Sequence, residues 1–224
     1  MSKNLTFSSH IEKVCAEAKK YSGLLMRSFT TRNPLIMKTL WNSIIQPRID
    51  YCSQLWSPYK AGEILRLESL LRSFTAKITP IAHLTPWERL KALQMMSIQR
   101  RHERYKIIFI WKNIEGLATN FGIKTHESKR HGRLCQIPKL NNQAKRAIQT
   151  IKENSLKVTG PQLFNAMPAH IRNITECSIL TFKKHLDAFL STIPDQPRLN
   201  GYTHLCSMDN NSILQMIKLN ACNK

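Results

Sequence analysis

Phosphoryl transfer through two metal ions needs clustered carboxylates, commonly an Asp-Asp pair on a tight turn. The chain holds four aspartates, Asp50, Asp187, Asp195 and Asp209, and none neighbours another aspartate or a glutamate. His126, His131 and Cys135 lie close in sequence, as do His204 and Cys206, but neither group has a standard zinc spacing. The six cysteines include no CxxC pair, which removes the basic unit of zinc ribbons and thioredoxin motifs. No GxSxG, GxGxxG or GxxxxGK[ST] occurs, and only 7 glycines are present. No catalytic residue, metal or cofactor is therefore assigned, and the cysteines read as buried, reduced thiols.

Cations are the residues in surplus. The 224 residues carry 34 Lys and Arg against 14 Asp and Glu, a formal net charge of +20. Such an excess attracts polyanions. From Lys124 to Arg146 there are seven basic residues, Lys124, Lys129, Arg130, Arg133, Lys139, Lys145 and Arg146, against one acid, Glu127. A second group, Arg100, Arg101, Arg104 and Lys106, is expected to decorate a helix, and Arg66 and Lys77 to face outward from another. These thirteen residues are the candidate nucleic-acid contacts, holding phosphates without reading sequence. Trp41, Tyr51, Trp56, Tyr59, Trp87 and Trp111 could stack on bases, but their helical spacing reads as core. The longest apolar run, Ile107 to Trp111, is far short of the roughly 20 residues of a membrane span. No apolar leader follows Met1, so an intracellular chain, nuclear or cytoplasmic and off the membrane, is expected.

The elements that would position these residues are mostly helices. Ser9 and Glu12 match a capping box ahead of apolar Ile11, Val14, Cys15, Ala18 and Leu25. Asn33-Pro34 opens a helix with the stripe Leu40, Trp41, Ile44 and Ile45. Pro47 should kink or restart it before it runs on through Tyr51, Cys52, Leu55 and Trp56. Ile64, Leu67, Leu71, Phe74 and Ile78 mark the cleanest helix. Thr85-Pro86-Trp87-Glu88 caps a short helix, and Ser97 caps a longer one that stops at Gly116. Periodicity then weakens into a basic arm, with short strands expected near Leu134–Ile137 and Leu156–Val158. Gly160-Pro161 should open a helical turn. Ser178 begins a last strong helix with Phe182, Leu186, Phe189 and Leu190 on one face, and Ile213–Leu219 is a weakly held candidate.

Several blocks together resemble a known family. Asp50-Tyr51-Cys52-Ser53-Gln54-Leu55-Trp56-Ser57-Pro58 is similar to the "EY-x-S-x-x-W-S-P" stretch that follows the polymerase palm in non-LTR retrotransposon reverse transcriptases of the jockey and chicken-repeat kind. Leu67-Glu68, Glu88-Arg89-Leu90-Lys91-Ala92-Leu93 and the Arg-rich Gln99–Arg104 follow in that family's order. Gly160-Pro161-Gln162-Leu163-Phe164-Asn165-Ala166-Met167-Pro168 resembles its "GP-x-L-[FW]-N-x-[LM]-P", and Ser178–Leu190 its closing helix. Leu5–Ile11 looks like the "L-x-F-x-x-HI" after the palm. The resemblance covers nearly the whole chain. It implies RNA-directed DNA polymerase as the parent activity, with fingers and palm, and any endonuclease domain, upstream of Met1.

The resulting expectation is a mainly α fold. Residues 1–116 form a thumb-like helical bundle, 117–159 a basic arm, 160–193 a smaller α-rich part and 194–224 a weakly ordered tail. The chain alone is expected to be no enzyme. It would grip template RNA and RNA–DNA duplex, with the missing palm as a further partner. The alternative is a helical protein-interaction module whose charge serves only solubility.

Overall fold

The structure, a computed structural model, describes residues 7–129, 132–140, 146–196 and 211–222. Its chain divides into two compact units, Met1–His102 with Asp195–Asn211, and Glu103–Pro194 with Ser212–Lys224. The division falls inside a helix, ahead of the Gly116 stop that the sequence suggested.

In the first unit, α1 (Ser8–Ser28) buries all five residues of its expected stripe. Its capping box does not form: the N-cap is Phe7, without a side-chain cap, and the Ser8 hydroxyl donates instead to Glu63. Asn33 does cap α2 (Pro34–Leu40), accepting from the amides of Leu35 and Ile36. A π-helical turn, Trp41–Ile45, leads into α3 (Gln46–Asp50), which carries Pro47. The helix does not run on through Tyr51 and Cys52. Cys52 takes a left-handed conformation, φ 51°, and breaks it before the short α4 (Ser53–Trp56). Next come α5 (Ala61–Thr75), a 3₁₀ turn at Thr79–Ile81, α6 (Pro86–Ala92) and the start of α7 (Ile98–Ile114). Trp41 and Phe74, both fully buried, meet at the centre with ring centroids 4.9 Å apart.

The second unit packs around the remainder of α7. Its strands are β1 (Thr125–Ser128) and β2 (Gly132–Cys135), antiparallel, with Thr125 opposite Cys135 and Ser128 opposite Gly132. Helices α8 (Arg146–Glu153), α9 (Leu156–Ala166), α10 (Ala169–Arg172), α11 (Ile179–Ser191) and α12 (Ile213–Cys222) follow. The strand expected at Leu156–Val158 is the first turn of α9, a helix buried on more than one side through Leu156, Val158, Leu163 and Phe164. Gly160-Pro161 lies within α9 rather than opening it. A side chain at Gly160 would meet Ile110 at 2.7 Å, so glycine is what lets α9 lie against α7 there. Trp111 stacks on Phe182 of α11 at 4.3 Å and 7°. Ser178 caps α11 through the Thr181 amide, as its sequence position suggested. The fold is mainly helical, with this one hairpin as its described sheet.

Candidate nucleic-acid interface

The described residues of the basic arm carry more structure than its polarity suggested. Asn165 of α9 grips both backbone groups of Cys135: its side-chain oxygen accepts the Cys135 amide and its nitrogen donates to the Cys135 carbonyl, each at 2.8 Å. The hairpin is also seated on α10. Gly132, at φ +68°, brings its backbone so near Asn173 that a side chain there would clash at 2.5 Å. The Asn173 side chain then accepts the Arg133 amide.

Arg133 is a structural centre, not an outward cation. Its guanidinium donates to the carbonyls of Arg172 and Ile174, both at 2.9 Å, and to Glu115. Its own carbonyl accepts from Arg172 at 2.7 Å. The other described candidates of the arm, Lys124, Lys129, Lys139 and Arg146, are exposed. Arg130 and Lys145 lie outside the described residues.

The cations of α7 also depart from expectation. Arg100 and Lys106 are buried, at 1% and 8% exposure. Arg101 pairs with Asp50 at 2.7 Å, and Arg104 holds both carboxylate oxygens of Asp187. Burial pulls the Lys106 ammonium below its ordinary pKa, with the charge of Glu103 opposing. These four residues build the two units and are withdrawn as outward phosphate contacts. Arg66 and Lys77 do face outward, Arg66 in an exposed ion pair with Glu12 at 3.1 Å.

The scarce carboxylates explain the pattern. Asp195 accepts the amide and hydroxyl of Ser97 at the start of α7, and Asn211 donates to that same hydroxyl and to Asp195. Glu68, 2% exposed, accepts the Gln99 amide at 2.8 Å, and burial pushes its carboxyl up to about 8. Glu103 accepts the Ile213 amide, and Glu88 closes the capping box on Thr85. Several acids are thus committed to helix ends and to Arg101, Arg104 and Arg133, while Glu12, Glu17, Glu127, Glu153 and Glu176 are exposed.

Among the described residues, no three His, Cys, Asp or Glu side chains gather as a metal site would require. His131, His204, Cys206 and Asp209 lie outside those residues. Cys135 is buried and its thiol is pushed up to about 11, which leaves it unreactive. Among the described residues, no helix is long and apolar enough to cross a membrane.

Two features had no clear sequence signal. Of the six aromatics, Trp41, Trp56 and Trp111 are core, as the spacing suggested, but Tyr51 is 76% exposed and Tyr59 is also at the surface. The left-handed Cys52 turns Tyr51 outward, and no periodicity announces such a break. Leu24, Phe29, Leu35 and Ile36 are exposed where α1 gives way to α2. Comparison with family models, curated proteins and solved structures finds no match to this chain.

Proposed function

We propose that this chain is a nucleic-acid-binding piece, gripping the phosphate backbone of RNA or RNA–DNA duplex and performing no chemistry of its own. The observation that carries the reading is a set of surface cations without acidic partners. Lys77, Lys124, Lys129, Lys139 and Arg146 are exposed, with no carboxylate of the described residues at ion-pair distance. The likeness to non-LTR retrotransposon reverse transcriptases supports the same reading. It suggests a polymerase palm as a further partner.

Fluorescence anisotropy with a labelled 20-mer RNA, repeated from low to high salt, tests it. Neutralising several phosphates makes log affinity fall steeply with log salt, by about 0.7 per phosphate on a single strand. A flat response, or no binding at low salt, refutes the reading.

The second reading, a helical protein-interaction module, is favoured by the exposed apolar side chains of the first unit, Leu35 at 72% and Leu55 at 56% above all. Association through such faces does not weaken with salt, so the same series separates the two.

A further inference from the structure

Beside the hairpin lies a hollow of about 510 Å³, lined by Gly122, Lys124, Gln136, Ile137, Pro138 and Lys139. Its two walls are fixed from behind. On one side, Asn113 at the end of α7 donates to the Thr119 carbonyl at 2.6 Å and accepts the Phe121 amide. The Phe121 ring sits edge-on to Phe109, with centroids 5.6 Å apart, and Asn120 accepts the Gly122 amide. On the other side, Asn165 clamps Cys135, and the Gln136 amide donates to the Lys124 carbonyl at 2.8 Å, carrying the ladder one step past the strands.

Among the described residues the lining includes two lysines and no acid. Gln136 adds an amide that both donates and accepts, and Ile137, 45% exposed, adds an apolar surface beside Pro138. An inorganic ion would leave most of this volume unfilled, whereas sites for small organic ligands run from about 300 to 1,000 Å³. Paired lysines suit a phosphate, as compact charges on adaptable stems. The apolar surface suits a sugar or base attached to it.

We propose that this hollow seats one nucleotide, its phosphate between Lys124 and Lys139 and its nucleoside against Ile137 and Pro138. This rests on the nucleic-acid reading above and narrows it to a place. The nucleotide has two possible sources, a residue of a bound strand or a free nucleotide.

Lysine acetylation of the full wild-type chain, read by mass spectrometry, tests the assignment without relying on a variant to fold. The probes are a 20-mer RNA, ATP and inorganic triphosphate. Lys124 and Lys139 should be protected at least threefold more than Lys19 and Lys20, which are exposed on α1. Protection by RNA but not ATP names a strand as the source. Protection by ATP names a free nucleotide, and both results support the seat. Equal protection by inorganic triphosphate and ATP removes the nucleoside and overturns it. Unprotected lysines under saturating RNA and ATP also overturn it, while a steep salt response in the same RNA would leave the broader reading standing. ATP protection in a chain that binds no RNA would do the reverse. A Lys124→Ala/Lys139→Ala variant should flatten the salt slope by about 0.7 to 1.4, one or two phosphates' worth. An unchanged slope counts against the strand as the source and leaves ATP protection to decide the seat.

Discussion

Arg133 of β2 and Glu115, at the end of α7, form an ion pair in which each side chain keeps only about a tenth of its surface in solvent, 11% and 12%. The strand is thereby bound to the helix it follows, and the same guanidinium ties down the backbone between α10 and α11. A cation so committed is unavailable to a phosphate.

Arg133→Ala should therefore cost about 3–5 kcal/mol, since it strands a nearly buried carboxylate and two carbonyls. Lys124→Ala, at an exposed position of the same arm, should stay within about 0.5 kcal/mol. Denaturant midpoints of the two variants check this; similar shifts would show that the pair contributes little.

Glu68 gives a pH dependence of defined sign. Its carboxyl titrates near 8 in the fold against an ordinary 4.5, because burial outweighs the amide bonds it accepts. Between those values the folded chain keeps a proton that the unfolded chain has released. Its contribution is whole below about pH 4.5 and is lost as pH rises toward 8, by up to about 1.4 kcal/mol per unit. Glu68→Gln removes this dependence. The difference in unfolding free energy between the variant and the natural chain, followed from pH 5 to 9, should swing toward the variant. A constant difference would mean the carboxyl is ionised in the fold.

Phe74, 1% exposed against Trp41, should cost about 3–5 kcal/mol on truncation to Ala. Arg66→Ala removes only an exposed ion pair and should change stability by less than about 1 kcal/mol. Equal melting shifts would remove α5 from the core.

Primer extension on an RNA template with Mg²⁺ or Mn²⁺ should give no product from this chain. No two aspartates are adjacent in the sequence, and the described ones are each engaged with a different partner, Asp50 with Arg101, Asp187 with Arg104 and Asp195 with Ser97. Template-dependent extension by a pure preparation would refute it.

The sequence was most legible where the signal is local. The stripe of α1, most of those of α5 and α11, and the caps at Asn33, Thr85, Ser97 and Ser178 are set by neighbours a few residues away, and the structure has them. Ile64 and Phe189 are half-buried, and Ile78 lies past the end of α5. The fate of a charge is different, because it depends on what lies opposite in space. Arg101 finds Asp50 51 residues away and Arg104 finds Asp187 83 away, distances over which no spacing rule reaches. Hence the α7 cations read as surface, whereas two are buried and two are held in partly buried ion pairs. Val158 gave the Leu156–Val158 stretch the look of a strand, a weak local preference that packing against the second unit's core overrides.

The π-helical turn at Trp41–Ile45 sets the phase of everything after it. Met37, Trp41, Ile45 and Ile49, at strict four-residue intervals, are each 0% exposed. In an unbroken α-helix that interval drifts by about 40° a step, so the first and last would point some 120° apart. A wide turn absorbs the surplus and returns all four to one side. Deleting exposed Asn42 or Ser43 would put the four at steps of four, three and four residues, which an ordinary α-helix keeps within about 60° of one another. The wide turn thus reads as one extra residue looped into a regular amphipathic helix, and its removal should leave the buried face intact.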